Sequence, residues 1–195
     1  MKAEEQQSPL TIYTVGHSTR SLDDFAGLLR AYGIERLVDV RTIPRSRHNP
    51  QFNAGTLGTF LRRRRIGYRQ MKELGGLRHP RADSPNTGWR NASFRGFADY
   101  MATSEFAAAV AKLVVLAREK STAIMCAEAV PWRCHRSLIG DALVIRGIIV
   151  VDIYTPKSAK PHVITPMARV HRTGITYPAS VEGESPVAGA RSIPN

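Results

Sequence analysis

The chain has 195 residues, 43% hydrophobic and 23% charged, with 28 Lys and Arg against 16 Asp and Glu, a formal charge of +12. That length suits one domain with a substantial core, and the absence of any bilayer-length apolar run, together with a polar start lacking an apolar signal region, excludes a membrane span and makes the cytoplasm the expected compartment. Two cysteines exclude a disulfide framework and, in a reducing compartment, point to thiol or metal chemistry.

The first ten residues read as disordered. Residues 11–15 (Thr-Ile-Tyr-Thr-Val) then form a buried-strand pattern ending at Gly16-His17-Ser18. Ser21-Leu-Asp-Asp24 resembles a capping box, and Leu22, Phe25, Leu28 and Leu29 give the following helix an apolar stripe up to Gly33. Residues 36–40 predict a second strand, 42–53 a polar, Pro-containing loop, and 54–65 a helix with Leu57, Phe60 and Leu61 on one side. The run Arg62 to Arg65 closes that helix, where cations suit the dipole. Residues 67–71 predict a short strand, and Leu74 opens a loop to about Asn91 whose length marks it as functional or mobile. Phe94, Phe97, Ala98, Tyr100 and Met101 have helical spacing. Ser104 is a candidate cap for the next helix, which is apolar at Phe106, Val110, Leu113, Val114 and Ala117. A strand over 122–125, a helix over 137–143 and a strand over 148–153 complete the core, with 162–164 as a candidate edge strand. From residue 173 the polar, Pro-, Ser- and Gly-rich chain reads as a disordered tail, leaving a single domain over 11–172. Strands alternating with helices predict a mostly parallel sheet covered on both faces, a three-layer, Rossmann-like α/β domain.

Three clusters follow predicted strands: Gly16-His17-Ser18, Asp39-Val40-Arg41 and Cys126-Ala127-Glu128. In a parallel sheet such strand ends share one edge, the edge where ligands bind, so the clusters converge although distant in sequence. Cys126, near helix N–H groups and arginines, is a candidate nucleophile or ligand, or simply a small buried hydrophobe. Glu128 is a candidate general acid or base, or else an ion-pair partner of Arg133 or Arg136. His135 and His17 suit proton transfer, and a buried, hydrogen-bonded histidine is the plain alternative for His17. Arg41 and Arg136 are the leading anion binders, supported by Arg45 and Arg95. Asp39 either holds those arginines or a substrate hydroxyl, Ser18 shapes the turn, and Tyr68 and Trp89 either stack on a base or pack. Cys126, Cys134, His135 and His17 offer ligands to a divalent metal, although Cys134 and His135, adjacent at a helix start, are expected to point apart.

Spacing weakens two familiar readings. The Cys126-Ala-Glu128 half of a zinc-deaminase pattern lacks the second pair of cysteines, and Arg133 stands one place too late, without glycines, for a Cys-based phosphatase loop. Clustered arginines at 41–47, 62–65 and 78–95 make polyanions the natural partners.

Together, Val15-Gly-His-Ser18, Asp39-Val-Arg41 with Pro44, Ser46, Pro50 and Phe52, Leu74-Gly-Gly76, Gly96-Phe-x-x-Tyr-Met101 and Met125-Cys-Ala-Glu128…Cys134-His-Arg136 resemble the DUF488 family, a widespread bacterial domain of unknown function. The resemblance covers about residues 11–154. It implies an α/β domain, a loose link to DNA repair and no settled reaction. Residues matching its signature are His17, Ser18, Asp39, Arg41, Cys126, Glu128, Cys134, His135 and Arg136. The expectation is a domain acting on, or only binding, nucleic acid or a phosphorylated small molecule such as a nucleotide.

Overall fold

Alternating apolar runs and amphipathic helices assemble as their order implies. The computed structural model describes residues 9–172 and 174–179, and the expectation of disorder over residues 1–8 and 180–195 lies outside them. The first unit is β1 (Thr11–Gly16), α1 (Leu22–Ala31) and β2 (Arg36–Asp39), followed by α2 (Ala54–Arg63) and β3 (Gly67–Gln70). Next come α3 (Ala92–Tyr100), α4 (Ser104–Glu119), β4 (Thr122–Cys126), α5 (Arg136–Val144), β5 (Ile149–Thr155) and β6 (Ser158–Pro161), and a small hairpin of β7 (Arg169–His171) and β8 (Gly174–Thr176). The main sheet has the order β3-β2-β4-β1-β5-β6, parallel except for the antiparallel β5–β6 edge.

Each face of the sheet buries a separate core. Val15, Leu37, Ala123, Met125 and Ile153 pack with Phe25, Leu28, Leu29, Leu57 and Leu61 of α1 and α2. Ile12, Val38, Ile124 and Val150 pack with Phe97, Phe106, Val110, Leu113, Leu138 and Ile139 of α3, α4 and α5. The fold is therefore a three-layer α/β domain with a mostly parallel sheet. Its strand order matters for function. β4 lies between β1 and β2, and the chain leaves β4 toward the α5 side while β1 and β2 lead to α1 and α2 on the other. Loops that part to opposite faces open a crevice at the carboxyl ends of these three strands.

Two helix starts follow the sequence closely. Ser21 caps α1 by accepting from Asp24 N–H, and Thr103, not Ser104, caps α4 by accepting from Phe106 N–H. No single helix among the described residues is long and apolar enough to cross a membrane.

Structure at the end of the chain departs from expectation. The edge strand is β6, not residues 162–164, because His162 turns inward and its ring nitrogens donate to Asp152 Oδ2 at 2.9 Å and Asp141 Oδ1 at 3.0 Å. The tail expected from residue 173 begins with ordered structure: β8 pairs with β7, and Tyr177 is fully buried. Tyr177 donates through its hydroxyl to Asp141 Oδ2 at 2.9 Å and through its N–H to Asn86 Oδ1 at 2.8 Å. The Asp141 carboxylate and the Asn86 amide oxygen together anchor a segment that composition alone marks as loose.

Candidate functional site

The ends of β1, β2 and β4 do converge. Backbone bonds from His17 N–H to Cys126 O and from Ser18 N–H to Ala127 O carry the β1–β4 pairing beyond the sheet. Gly16 permits that approach, since a Cβ there would lie 1.7 Å from Glu128 O. Ser18 takes a positive φ of 51°, a left-handed turn that releases the chain toward α1.

At the centre of one cluster, Arg41 grips Asp39 in a two-pronged pair, Nε to Oδ1 at 2.8 Å and Nη2 to Oδ2 at 2.5 Å. Tyr68 O–H donates to the same carboxylate at 2.6 Å, and burial with that contact pushes its phenol upward. Arg41 also donates to Phe52 O and, through Nη1, to His17 Nε2 at 3.2 Å. The opposite His17 nitrogen, Nδ1, lies 2.7 Å from Ser18 O and donates to it, so Nε2 is left as the acceptor. Burial lowers His17 to about 4, and the Arg41 charge adds to the effect, so the ring is neutral near pH 7. Phe52 stacks on it with centroids 4.2 Å apart.

A second cluster forms around the cysteines. Cys134 is extended (φ −139°, ψ 142°) and His135 is helical (φ −57°, ψ −14°). This break turns the two adjacent side chains toward each other, contrary to the expectation that they point apart: Cys134 Sγ lies 3.7 Å from His135 Nδ1, and Cys126 Sγ 3.9 Å from it. The three ligand atoms lie within 4.8 Å of one another. His135 Nε2–H is fixed between Val40 O at 3.1 Å and Leu74 O at 3.0 Å, which aims Nδ1 at the sulfurs. The Leu74-Gly-Gly76 motif thereby has a local cause: Leu74 supplies a carbonyl, and a Cβ on Gly76 would meet His135 Nδ1 at 2.5 Å. Phe97 closes the other side edge-on at 4.9 Å.

Contact with Cys134, and then burial, push the Cys126 thiol well up. The same contact holds Cys134 below the ordinary thiol value, and Arg136 adds to that.

Both clusters open onto one cavity of about 350 Å³, lined on its polar side by His17, Arg41, Arg45, Glu128, Arg133 and the Cys126–Cys134–His135 group. Ile43, Leu77 and Phe94 supply an apolar wall. Glu128 is exposed and has no ion pair with Arg133 or Arg136 among the described residues. Arg136 is not at the surface, as an anion binder would be. It is 1% exposed and donates to Glu128 O at 2.5 Å and Ala129 O at 3.0 Å, holding the loop after β4 from beneath. Arg95 donates to Trp89 O through Nε and Nη2, and Trp89 packs on Phe94 and Tyr177, so neither lines the cavity. Arg133, weighed as a Glu128 partner and as a misplaced phosphatase-loop arginine, lines the cavity in the position expected of Arg136.

A model of the family described as "Domain of unknown function DUF488" matches residues 21–143. That span takes in the Asp39–Arg41 and Cys126–Arg136 segments, while His17 and Ser18 precede it. Neither the curated proteins nor the solved structures include a match to the chain. With a family model covering more than half of its length and the signature residues gathered at one sheet edge, the chain belongs to the DUF488 family.

Proposed function

We propose that the protein acts on a nucleotide, free or as one unit of a nucleic acid, held in the cavity at the carboxyl edge of the sheet. One observation carries this reading: the cavity pairs an apolar wall of Ile43, Leu77 and Phe94 with the guanidinium groups of Arg45 and Arg133, and its floor is the Cys126–Cys134–His135 group. A volume near 350 Å³ is at the small end of ligand sites and suits one base with its sugar and phosphate. Arg45 and Arg133 are exposed, with no side-chain partner among the described residues, so their forks are free for phosphate. Glu128, also exposed at the rim, is the residue for proton transfer. The reducing cytosol is the compartment that fits two buried free thiols.

Affinities for nucleoside monophosphates and short oligonucleotides, measured by calorimetry and fluorescence anisotropy, test the reading. Arg45→Glu with Arg133→Glu should weaken binding about tenfold or more, the scale of one or two lost charged hydrogen bonds. Equal affinity in wild type and double variant overturns it. A second reading, a non-catalytic binding module, draws on the Asp39–Arg41–His17 group, whose polar atoms are already engaged with one another. Under that reading Glu128→Gln leaves every measurable property of the bound nucleotide unchanged.

A further inference from the structure

We propose that Cys126, Cys134 and His135 form an open three-ligand centre for a soft divalent cation of the zinc class, with the fourth coordination position facing the arginine-lined cavity. The argument begins with distances. Zinc bonds of about 2.3 Å to sulfur and about 2.0–2.1 Å to nitrogen, at tetrahedral angles, require neighbouring S···N separations of about 3.6 Å. The two S···N separations are 3.7 and 3.9 Å. Closing on an ion therefore needs shifts of a few tenths of an ångström along those two edges, and the third, S···S, lies within 4.8 Å where about 3.8 Å is required.

The imidazole is oriented as a ligating ring is. Nε2–H is held by the Val40 and Leu74 carbonyls, which fixes the tautomer and directs the Nδ1 lone pair between the sulfurs. Gly76 and Phe97 confine the ring on its two sides. A disulfide between Cys126 and Cys134 would make no use of that lone pair. A donor set of two sulfurs and one imidazole nitrogen selects zinc-like ions over magnesium or calcium, which take oxygen. Two thiolates balance a divalent charge, so the guanidinium groups of Arg45 and Arg133 stay available to a substrate anion. Three protein ligands beside a cavity, rather than four in a closed shell, leave a position for water or a substrate atom.

The inference adds a reacting centre to the nucleotide reading, and its test contains no nucleotide, so each can fail alone. Full-length protein, free of any histidine tag, is reduced, stripped of metal and titrated anaerobically with Co²⁺. The expected result is about one equivalent bound, with thiolate-to-metal charge transfer and the intense visible bands of a tetrahedral ion, displaced on adding Zn²⁺. Cys134→Ser should lose most of the charge-transfer intensity. If that variant does not fold, the rate at which the wild-type thiols react with a disulfide reagent decides, and one equivalent of Zn²⁺ should slow it about tenfold or more. Cobalt binding without thiolate charge transfer, or thiol reactivity unchanged by zinc, overturns the proposal.

Discussion

Single side chains around the cavity divide into those that face it and those that hold its walls, and the two kinds predict different losses. Arg136 is of the second kind. Arg136→Met would leave Glu128 O and Ala129 O without their buried donors and should cost about 2–5 kcal/mol in urea unfolding. Nucleotide affinity of the fraction that remains folded should change less than in the Arg45 and Arg133 variants. A larger effect on affinity than on stability would return Arg136 to the role of anion binder. Gly76 makes a sharper case. Gly76→Ala places a methyl group 2.5 Å from His135 Nδ1, so the ring must move or the loop must give, at about 1–3 kcal/mol. Thermal unfolding and the cobalt spectrum should both register it. Residue types were legible at this scale and their exposures were not. Nothing in Arg133-Cys-His-Arg136 tells which arginine is buried, because that depends on the extended backbone of Cys134 and on the approach of Gly16 to Glu128.

Among the elements, the β5–β6 edge and α5 are joined through His162, which lies between a carboxylate of each: Asp152 of β5 and Asp141 of α5. Thr14 on β1 donates to the other oxygen of Asp152 at 2.5 Å, and Thr165 N–H donates to Asp141. Burial alone would lower His162, but the two carboxylates raise it from 6.5 to about 9. A histidine that binds its proton more tightly when folded stabilises the fold fully below its unfolded value. That contribution is lost as pH climbs from about 6.5 through about 9. Urea unfolding between pH 6 and pH 10 should show wild type losing stability with rising pH and His162→Gln losing distinctly less, apart from the lower starting value of the variant. Parallel curves would mean that the histidine carries no extra proton. The strand–helix alternation behind the main sheet was readable because short apolar runs separated by capped amphipathic helices admit few arrangements. The hairpin of β7 and β8 was not, because three-residue strands give too little periodicity and their anchor, Asp141, lies far off in sequence.

For the whole molecule, a charge of +12 sets the ionic-strength behaviour of any polyanion complex. If nucleic acid is the partner, log affinity should fall linearly with log salt, with a slope of magnitude about 0.7 per neutralised phosphate on single strands. A flat salt response in anisotropy titrations would confine the arginine clusters to solubility. Tyr177 works over the same scale. With Tyr177→Ala, the loss of a fully buried ring and of the Asp141 contact should cost about 3–5 kcal/mol by urea unfolding, although the residue is remote in sequence from every signature motif. Its position has a consequence for the order of synthesis. Asp141 belongs to the helix that starts beside His135, and it acquires its phenol partner only when residue 177 has emerged from the ribosome. The nascent chain can therefore pair β1, β2 and β4 well before α5 is fully seated. The two thiols, the His135 ring and the groups that hold that ring (Val40, Leu74, Gly76 and Phe97) all lie before residue 136, so the pocket has every part it needs while the anchor of α5 is still missing.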